Sequence, residues 1–275
     1  DDDRIKWTKI CSYQKLSEKF IEDIYNKSPK KIYWKIISDK QILSEKFIEK
    51  CLNSIIKQSY KNFQVKVIDD CSTDYSYELA LEICARYENF QVSKNPRRIG
   101  ALNNISELLS LDIEDPSRTI DILVDGDDYL YSGDVLNILY EKYLNTNCLI
   151  TYGSHLSSKG VQGKKYPSLI RKLNLYRKYF WYASHLKTFR HDLWLSINKS
   201  DLLTHNGTYF SVASDLAIMF PMLEMAGDRQ EFIKEVLYVY NDKNPISDHN
   251  IRRKEQILAA KEIREKKRYK AKKFI

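Results

Sequence analysis

Apolar positions along this chain follow two alternating periods, and the alternation is regular through its first half. Short branched or aromatic runs predict strands at Tyr33–Ile37, Phe63–Ile68, Phe90–Val92, Thr119–Val124 and Cys148–Tyr152. Helical spacing between them predicts helices at Ser44–Gln58, Ser76–Tyr87, Gly100–Leu111 and Asp134–Asn145. In the first helix Phe47, Ile48, Cys51, Leu52, Ile55 and Ile56 share a face, and Ser44 is placed to cap its start. Strands alternating with helices call for an α/β fold with a mostly parallel sheet and helices on both faces. Two segments compete for the first strand, Trp7–Ser12 and Tyr33–Ser38. The second is favoured because the pattern after it is continuous.

Gly153 breaks the regularity. Residues 153–190 mix Gly160, Gly163 and Pro167 with basic and aromatic side chains, and read as a long, partly ordered segment over the sheet. A helix at His191–Ile197 follows, then a helical stretch at Asp215–Met225 that Pro221 should kink or restart. Phe232–Tyr240 reads as a strand and Asn241–His249 as a polar loop. A charged helix with a thin apolar stripe (Ile251, Leu258, Ile263) ends the pattern.

Composition adds two constraints. With 275 residues, 43% of them hydrophobic and 30% charged, the chain suits one large soluble domain or a domain with appendages. It has no apolar run long enough to span a bilayer, and no cleavable signal pattern opens it. Five scattered cysteines, Cys11, Cys51, Cys71, Cys84 and Cys148, favour reduced thiols and a cytoplasmic setting. The net charge of +8 is localised: residues 252–275 hold eleven Lys/Arg against three Glu, and the remainder balances. The body is therefore not a basic nucleic-acid binder, and no nucleic-acid partner is expected. The tail could meet acidic lipid head groups or a partner. It lacks the apolar face of an interfacial helix, so it reads as a solvated helix with a frayed end.

Two acidic clusters end predicted strands. Asp69, Asp70 and Asp74 follow the strand at Phe63–Ile68, while Asp125, Asp127 and Asp128 follow Thr119–Val124, with Gly126 placed to supply a bend. Carboxylates this dense repel one another unless a cation holds them, and a hard divalent ion sharing its shell with phosphates suits them. The bland reading is a solvated acidic turn. Because every strand of a parallel sheet ends on one edge, the clusters can converge. A third acid, Asp215, opens a later helix. One cluster could read a nucleoside, one could hold a metal on a diphosphate, and one acid could serve as a base.

The segment Cys51–Asp74 resembles the opening of family 2 glycosyltransferases of the GT-A fold. Leu123-Val-Asp-Gly-Asp-Asp128 is similar to their metal-binding Asp-X-Asp motif, and Asn95–Asn104 to their connecting Gly/Asn motif. Ser184–Arg190, Asp215–Gly227 and Asn244–Asp248 are similar to a subgroup found in large DNA viruses and microbes. The resemblance covers about residues 33–250, with its motifs in family order.

That resemblance implies an organisation: an N-terminal extension at 1–32, a nucleotide-sugar-binding half at 33–152, an acceptor-side half at 153–250 and a basic helical tail at 251–275. It also implies roles. Asp70, with Asp69, would bind the base or ribose of a nucleotide sugar, usually a uridine diphosphate sugar; the plainer reading is a cap on the helix at Ser76. Asp127 would bind Mn2+ or Mg2+ on the diphosphate, with Asp125 at the ribose or metal shell and Asp128 capping the turn. Asp215 would be the catalytic base of a single, inverting displacement. Many members carry Glu-Asp here, whereas this chain has Ser214-Asp215, so helix capping is the rival role and Glu224 a further candidate base. Arg98 could pair with a phosphate. His185, Arg190 and Trp181 could contact the acceptor or the diphosphate, and His249 the metal. The acceptor would be a glycan, lipid-linked or protein hydroxyl. Members commonly end the first strand with Pro-Thr-Tyr-Asn. Neither Ile37–Gln41 nor Cys11–Gln14 supplies that text, so this nucleotide contact stays open. Two rivals share the pattern. A sugar nucleotidyltransferase would need a Gly-rich, basic phosphate loop after the first strand, which is missing here. A non-catalytic binding relative would have no use for Asp70, Asp127 and Asp215 together.

Overall fold

The computed structural model describes residues 45–242, 244 and 252–272. Both candidates for the first strand, His249 and Ile251 lie outside them. The described residues form two compact units, one of residues 45–56 with Asn62–Arg98 and one of Lys57–Lys61 with the chain from Ile99 onward.

In the smaller unit, helix α1 (residues 45–56) precedes strand β1 (Val65–Asp69), helix α2 (Ser76–Cys84) and strand β2 (Phe90–Lys94). β1 and β2 pair in parallel from Val65↔Phe90 to Asp69↔Lys94. Leu52 of α1, Ala80 and Cys84 of α2 and Phe90 of β2 form the buried centre, with Ile48, Ile55 and Val67 against it. Each large side chain buried this way contributes roughly 1.5–3 kcal/mol. The predicted helical face of α1 is thus the face that packs.

The larger unit contains helix α3 (Ala101–Leu108), strands β3 (Ile120–Leu123) and β4 (Tyr129–Leu130), helix α4 (Val135–Thr146), strands β5 (Ile150–Ser157) and β6 (Gly160–Gln162), and helix α5 (Ser168–Lys172). After these come strand β7 (Lys187–Arg190), helix α6 (His191–Leu195), helix α7 (Ser214–Ala226), strand β8 (Gln230–Val239) and helix α8 (Arg253–Glu265). Its sheet has the order β3-β7-β5-β8-β4, with β6 on β5. The sheet is mixed, which corrects the expectation of a mostly parallel one. β5 and β8 pair in parallel, whereas β7 runs antiparallel to both β3 and β5, and β4 antiparallel to β8. One edge therefore collects the C-terminal ends of β3, β5 and β8 and the N-terminal ends of β7 and β4.

Gly153 does not end its strand. β5 runs on to Ser157, with register shifts on both sides of Ser154. A Cβ at Gly153 would lie 2.7 Å from the Ile233 carbonyl oxygen. The glycine marks a close backbone approach in a bulged pair, not a terminus. α7 passes through Pro221 as a single helix, and everything from Leu216 to Ala226 is buried. A helix apolar on all sides is a core helix, and the packing around it offsets the hydrogen bond that the proline removes.

The tail is part of this core rather than a solvated appendage. Ile263 is buried, and Arg264 Nη1 donates to the carbonyls of Arg177 and Tyr179. The Tyr269 amide donates to Glu224 Oε2, and the Lys272 amide to the Met225 carbonyl. The expected stripe splits, because Leu258 is 69% exposed. Five residues along a helix put Leu258 and Ile263 about 140° apart.

Candidate active site

β3 ends at Leu123, and the chain then turns through Asp125–Asp128, closed by the Asp128 amide donating to the Asp125 carbonyl at 3.0 Å. Gly126 is not required for this turn: it has no positive φ, and a Cβ there would meet nothing within 4 Å. The end of β8 grips the turn. The Asp125 amide donates to Tyr238 Oη at 3.1 Å, the Asn241 amide to Asp128 Oδ1 at 2.7 Å, and Asn244 Nδ2 to Asp127 Oδ2 at 2.7 Å.

Antiparallel pairing of β3 with β7 sets Lys187 opposite Leu123. Residues just before β7 therefore face residues just after β3. The Lys187 ammonium, buried, lies 3.4 Å from Asp125 Oδ2. Burial pulls its pKa down, but the fields of Asp125, Asp215 and Asp128 outweigh that and raise it. His185 lies flat between two rings, Tyr238 at 4.9 Å and Tyr240 at 4.8 Å between centroids, with His155 edge-on at 5.1 Å. Burial, Lys187 and His155 hold the His185 pKa well below its ordinary value, so the imidazole is neutral.

Asp125, Asp128 and His185 each present a ligand atom, and all three atoms lie within 4.8 Å of one another. Asp128, expected to cap the turn, is buried instead. Its Oδ2 has no hydrogen-bond partner among the described residues, and neither does His185 Nδ1. Burial, with Asp125 and Asp127 adding repulsion, raises the Asp128 pKa to about 7 despite the Asn241 amide. Buried polar atoms without partners carry a desolvation cost of about 1–3 kcal/mol each, which a cation bound among them would offset. Two carboxylates and a neutral imidazole form a donor set suited to a divalent ion.

Asp215 stands in the first turn of α7 and is partly buried. Burial raises its pKa, while Lys187 and the Leu216 amide oppose the rise. The Trp181 indole packs edge-on against Phe220 at 5.2 Å. Its N–H acts favourably on the Asp215 carboxylate yet closes no bond of full hydrogen-bond geometry.

The other expected residues fall elsewhere. Arg190 ends β7, three residues from Lys187, and its guanidinium donates to the carbonyls of Ser117, Cys148 and Tyr143. It is a strand clamp and not part of this edge. Glu224 sits in a buried ion pair with Arg177, which removes it as a base. In the smaller unit, Asp69 accepts from the Ser72 amide and Asp70 from Asn95 Nδ2. Asp74, not Asp70, accepts from the Ser76 amide. Arg98 is exposed at the boundary of that unit.

A family model described as glycosyl transferase family 2 matches residues 42–214, more than half of the chain. The chain belongs to glycosyl transferase family 2. Its fold is that of GT-A glycosyltransferases. The structure of S. aureus TarS 1-349 is similar at a TM-score of 0.53 and 20% identity, covering 72% of this chain and 57% of that one. The mannosyltransferase PcManGT from Pyrobaculum calidifontis, in complex with GDP-Man and Mn2+, is similar at a TM-score of 0.54 and 18% identity, covering 82% of this chain and 62% of that one. The chain thus spans less than two thirds of either neighbour. No curated protein matches. No described helix is long and apolar enough to cross a membrane.

For a family 2 member, the motif text pointed to the acidic turn but passed over Lys187, Tyr238 and Tyr240. Lys187 lies within the recognised Ser184–Arg190 segment. Antiparallel pairing, which single-sequence periodicity does not reveal, decides that Lys187 rather than Arg190 faces the carboxylates.

Proposed function

We propose that the chain is a metal-dependent glycosyltransferase that moves a sugar from a nucleotide diphosphate donor to an acceptor hydroxyl with inversion. The observation that carries this reading is the group of Asp125, Asp128 and His185 beside Asp215. Asp128 Oδ2 and His185 Nδ1 are buried without hydrogen-bond partners among the described residues, and Asp215, which feels the fields of Lys187 and Asp125, opens α7. Asp125, Asp128 and His185 would hold Mn2+ or Mg2+, and the imidazole favours Mn2+. Asp127 gives one oxygen to Asn244; the family resemblance assigns it a further metal contact, and His249 would add a late ligand. When bound, the cation supplies positive charge to the departing diphosphate.

The chain's own residues do the rest. Asp215 takes the proton from the acceptor hydroxyl as that oxygen attacks the anomeric carbon. Burial raises its pKa and so makes it a stronger base than an exposed carboxylate, while the Lys187 ammonium opposes that rise. Asp69 and Asp70 are assigned the nucleoside, Arg98 a phosphate and Trp181 the acceptor side. The family resemblance favours a uridine diphosphate sugar.

Nucleotide release from a panel of UDP- and GDP-sugars, with Mn2+, Mg2+ or a chelator, tests the reading. Metal-dependent release from one donor is expected. If no donor is turned over and neither nucleotide nor metal binds, the reading fails. Asp215→Asn should lower transfer by about 10²–10⁴-fold with the fold intact, and full activity in that variant would place the base elsewhere.

A further inference from the structure

The face of α8 turned away from the core carries two large apolar side chains. Ile257 and Leu258 are 62% and 69% exposed, while Ile263 on the inner side is buried. Lys254 and Lys261 are also exposed and lie one turn to either side. The spacing i, i+3, i+4, i+7 puts all four on one face. At the C-terminal end of the helix, Arg264 holds the Tyr179 carbonyl at 2.9 Å. The next residue, Phe180, is 71% exposed, the highest value for a large apolar side chain among the described residues. A further exposed apolar side chain, from another segment, thus lies near the C-terminal end of α8.

Charge decides what this face fits. Residues 252–275 carry the whole net charge of +8; on the outward face itself Lys254 and Lys261 stand against Glu265, which lies 3.9 Å from Lys261. Lysines beside isoleucine and leucine are poor protein-interface material, because interface centres are depleted in lysine. At a lipid boundary the same lysines extend along their stems to phosphates while the apolar neighbours enter below them. We propose that this face docks on an anionic lipid surface, with Ile257, Leu258 and Phe180 entering the headgroup boundary and Lys254 and Lys261 pairing with lipid phosphates. Phe180 directly precedes Trp181, so docking would bring the lipid surface to the flank of the segment that reaches Asp215.

Co-sedimentation of the full chain with two kinds of vesicle tests this: phosphatidylcholine alone, and phosphatidylcholine mixed with phosphatidylglycerol. Binding to the mixed vesicles only, weakened by salt, is expected. Lys254→Glu with Lys261→Glu should weaken it at least about tenfold. Ile257→Ser with Leu258→Ser should do the same. Because these side chains are exposed, both double variants should unfold at the parent's temperature. Absence of binding to the mixed vesicles overturns the proposal, as does binding that neither double variant changes. A parent that sediments as a dimer, and becomes monomeric in the Ile257→Ser, Leu258→Ser variant, also overturns it by showing that a second copy covers the face.

Discussion

Two buried charge clusters sit in the larger unit, and they are built in opposite ways. Arg177 gives two hydrogen bonds to Glu224, at 2.7 and 3.0 Å, and a third to the Ile263 carbonyl, while Glu224 also accepts from the Tyr269 amide. Each partner is met several times over, and water is excluded. At the sheet edge, Lys187 reaches Asp125 only at 3.4 Å, and Asp125 is half exposed. Asp128 Oδ2, His185 Nδ1 and the Trp181 indole N–H lack partners among the described residues. A buried polar network that is satisfied holds a fold together, whereas one left open at a sheet edge awaits something from outside. Burial alone would have ranked Arg177 and Glu224 beside Lys187 and Asp128. Counting partners separates them.

The contrast can be broken most sharply by removing a partner from the closed cluster. Arg177→Met strands the Glu224 charge and should cost about 3–5 kcal/mol of stability in denaturant unfolding. A loss below about 1 kcal/mol would show the pair to be dispensable and the contrast false. Opening the other cluster further should do the reverse. Asp128→Asn removes a buried charge, so the metal-free protein should be no less stable. Its Mn2+ affinity, read by titration calorimetry, should fall at least about tenfold. A variant that loses stability without metal while binding Mn2+ normally would make Asp128 structural.

The pH profile sharpens the same point. Burial raises the Asp215 pKa, and a base works only when deprotonated. The acidic limb of kcat/KM should therefore lie above the ordinary carboxylate range, with activity falling as pH drops through it. Lys187→Met removes the cation that opposes this rise, so the limb should move to higher pH; an unmoved limb would uncouple Lys187 from the base. The smallest effect is expected next to Asp215. Ala213 precedes α7 at φ 57, in the left-handed region that costs a residue with a Cβ about 1 kcal/mol. Ala213→Gly should recover an amount of that order in thermal unfolding.

How much of this was readable from the chain depended on the range of the interaction. α1, α2, α4 and the acidic turn came from local period and composition, because each is decided within a dozen residues. Asp215 was readable because it opens a strongly apolar helix. β7 was not: Lys-Thr-Phe-Arg is too short to show a period, and only its pairing with β3 and β5 makes it a strand. With β7 missing, the sheet read as parallel, Arg190 was singled out while Lys187 was passed over, and His185 stood apart from the acids. Gly153 misled for a related reason. A glycine needed for close approach to another strand looks, in one dimension, like a glycine that ends its own.

The closure of Arg177 and Glu224 by residues 263–269 has a consequence for synthesis on the ribosome. The pair forms between segments made before α8, but its last hydrogen bonds come from the Ile263 carbonyl within α8 and the Tyr269 amide beyond it. Until those residues leave the exit tunnel, Glu224 and one arm of Arg177 stay short of partners, and the C-terminal end of α7 is uncovered. The nascent larger unit is therefore held open at one point until nearly all of its described chain has emerged. That interval is when a chaperone would have most to hold.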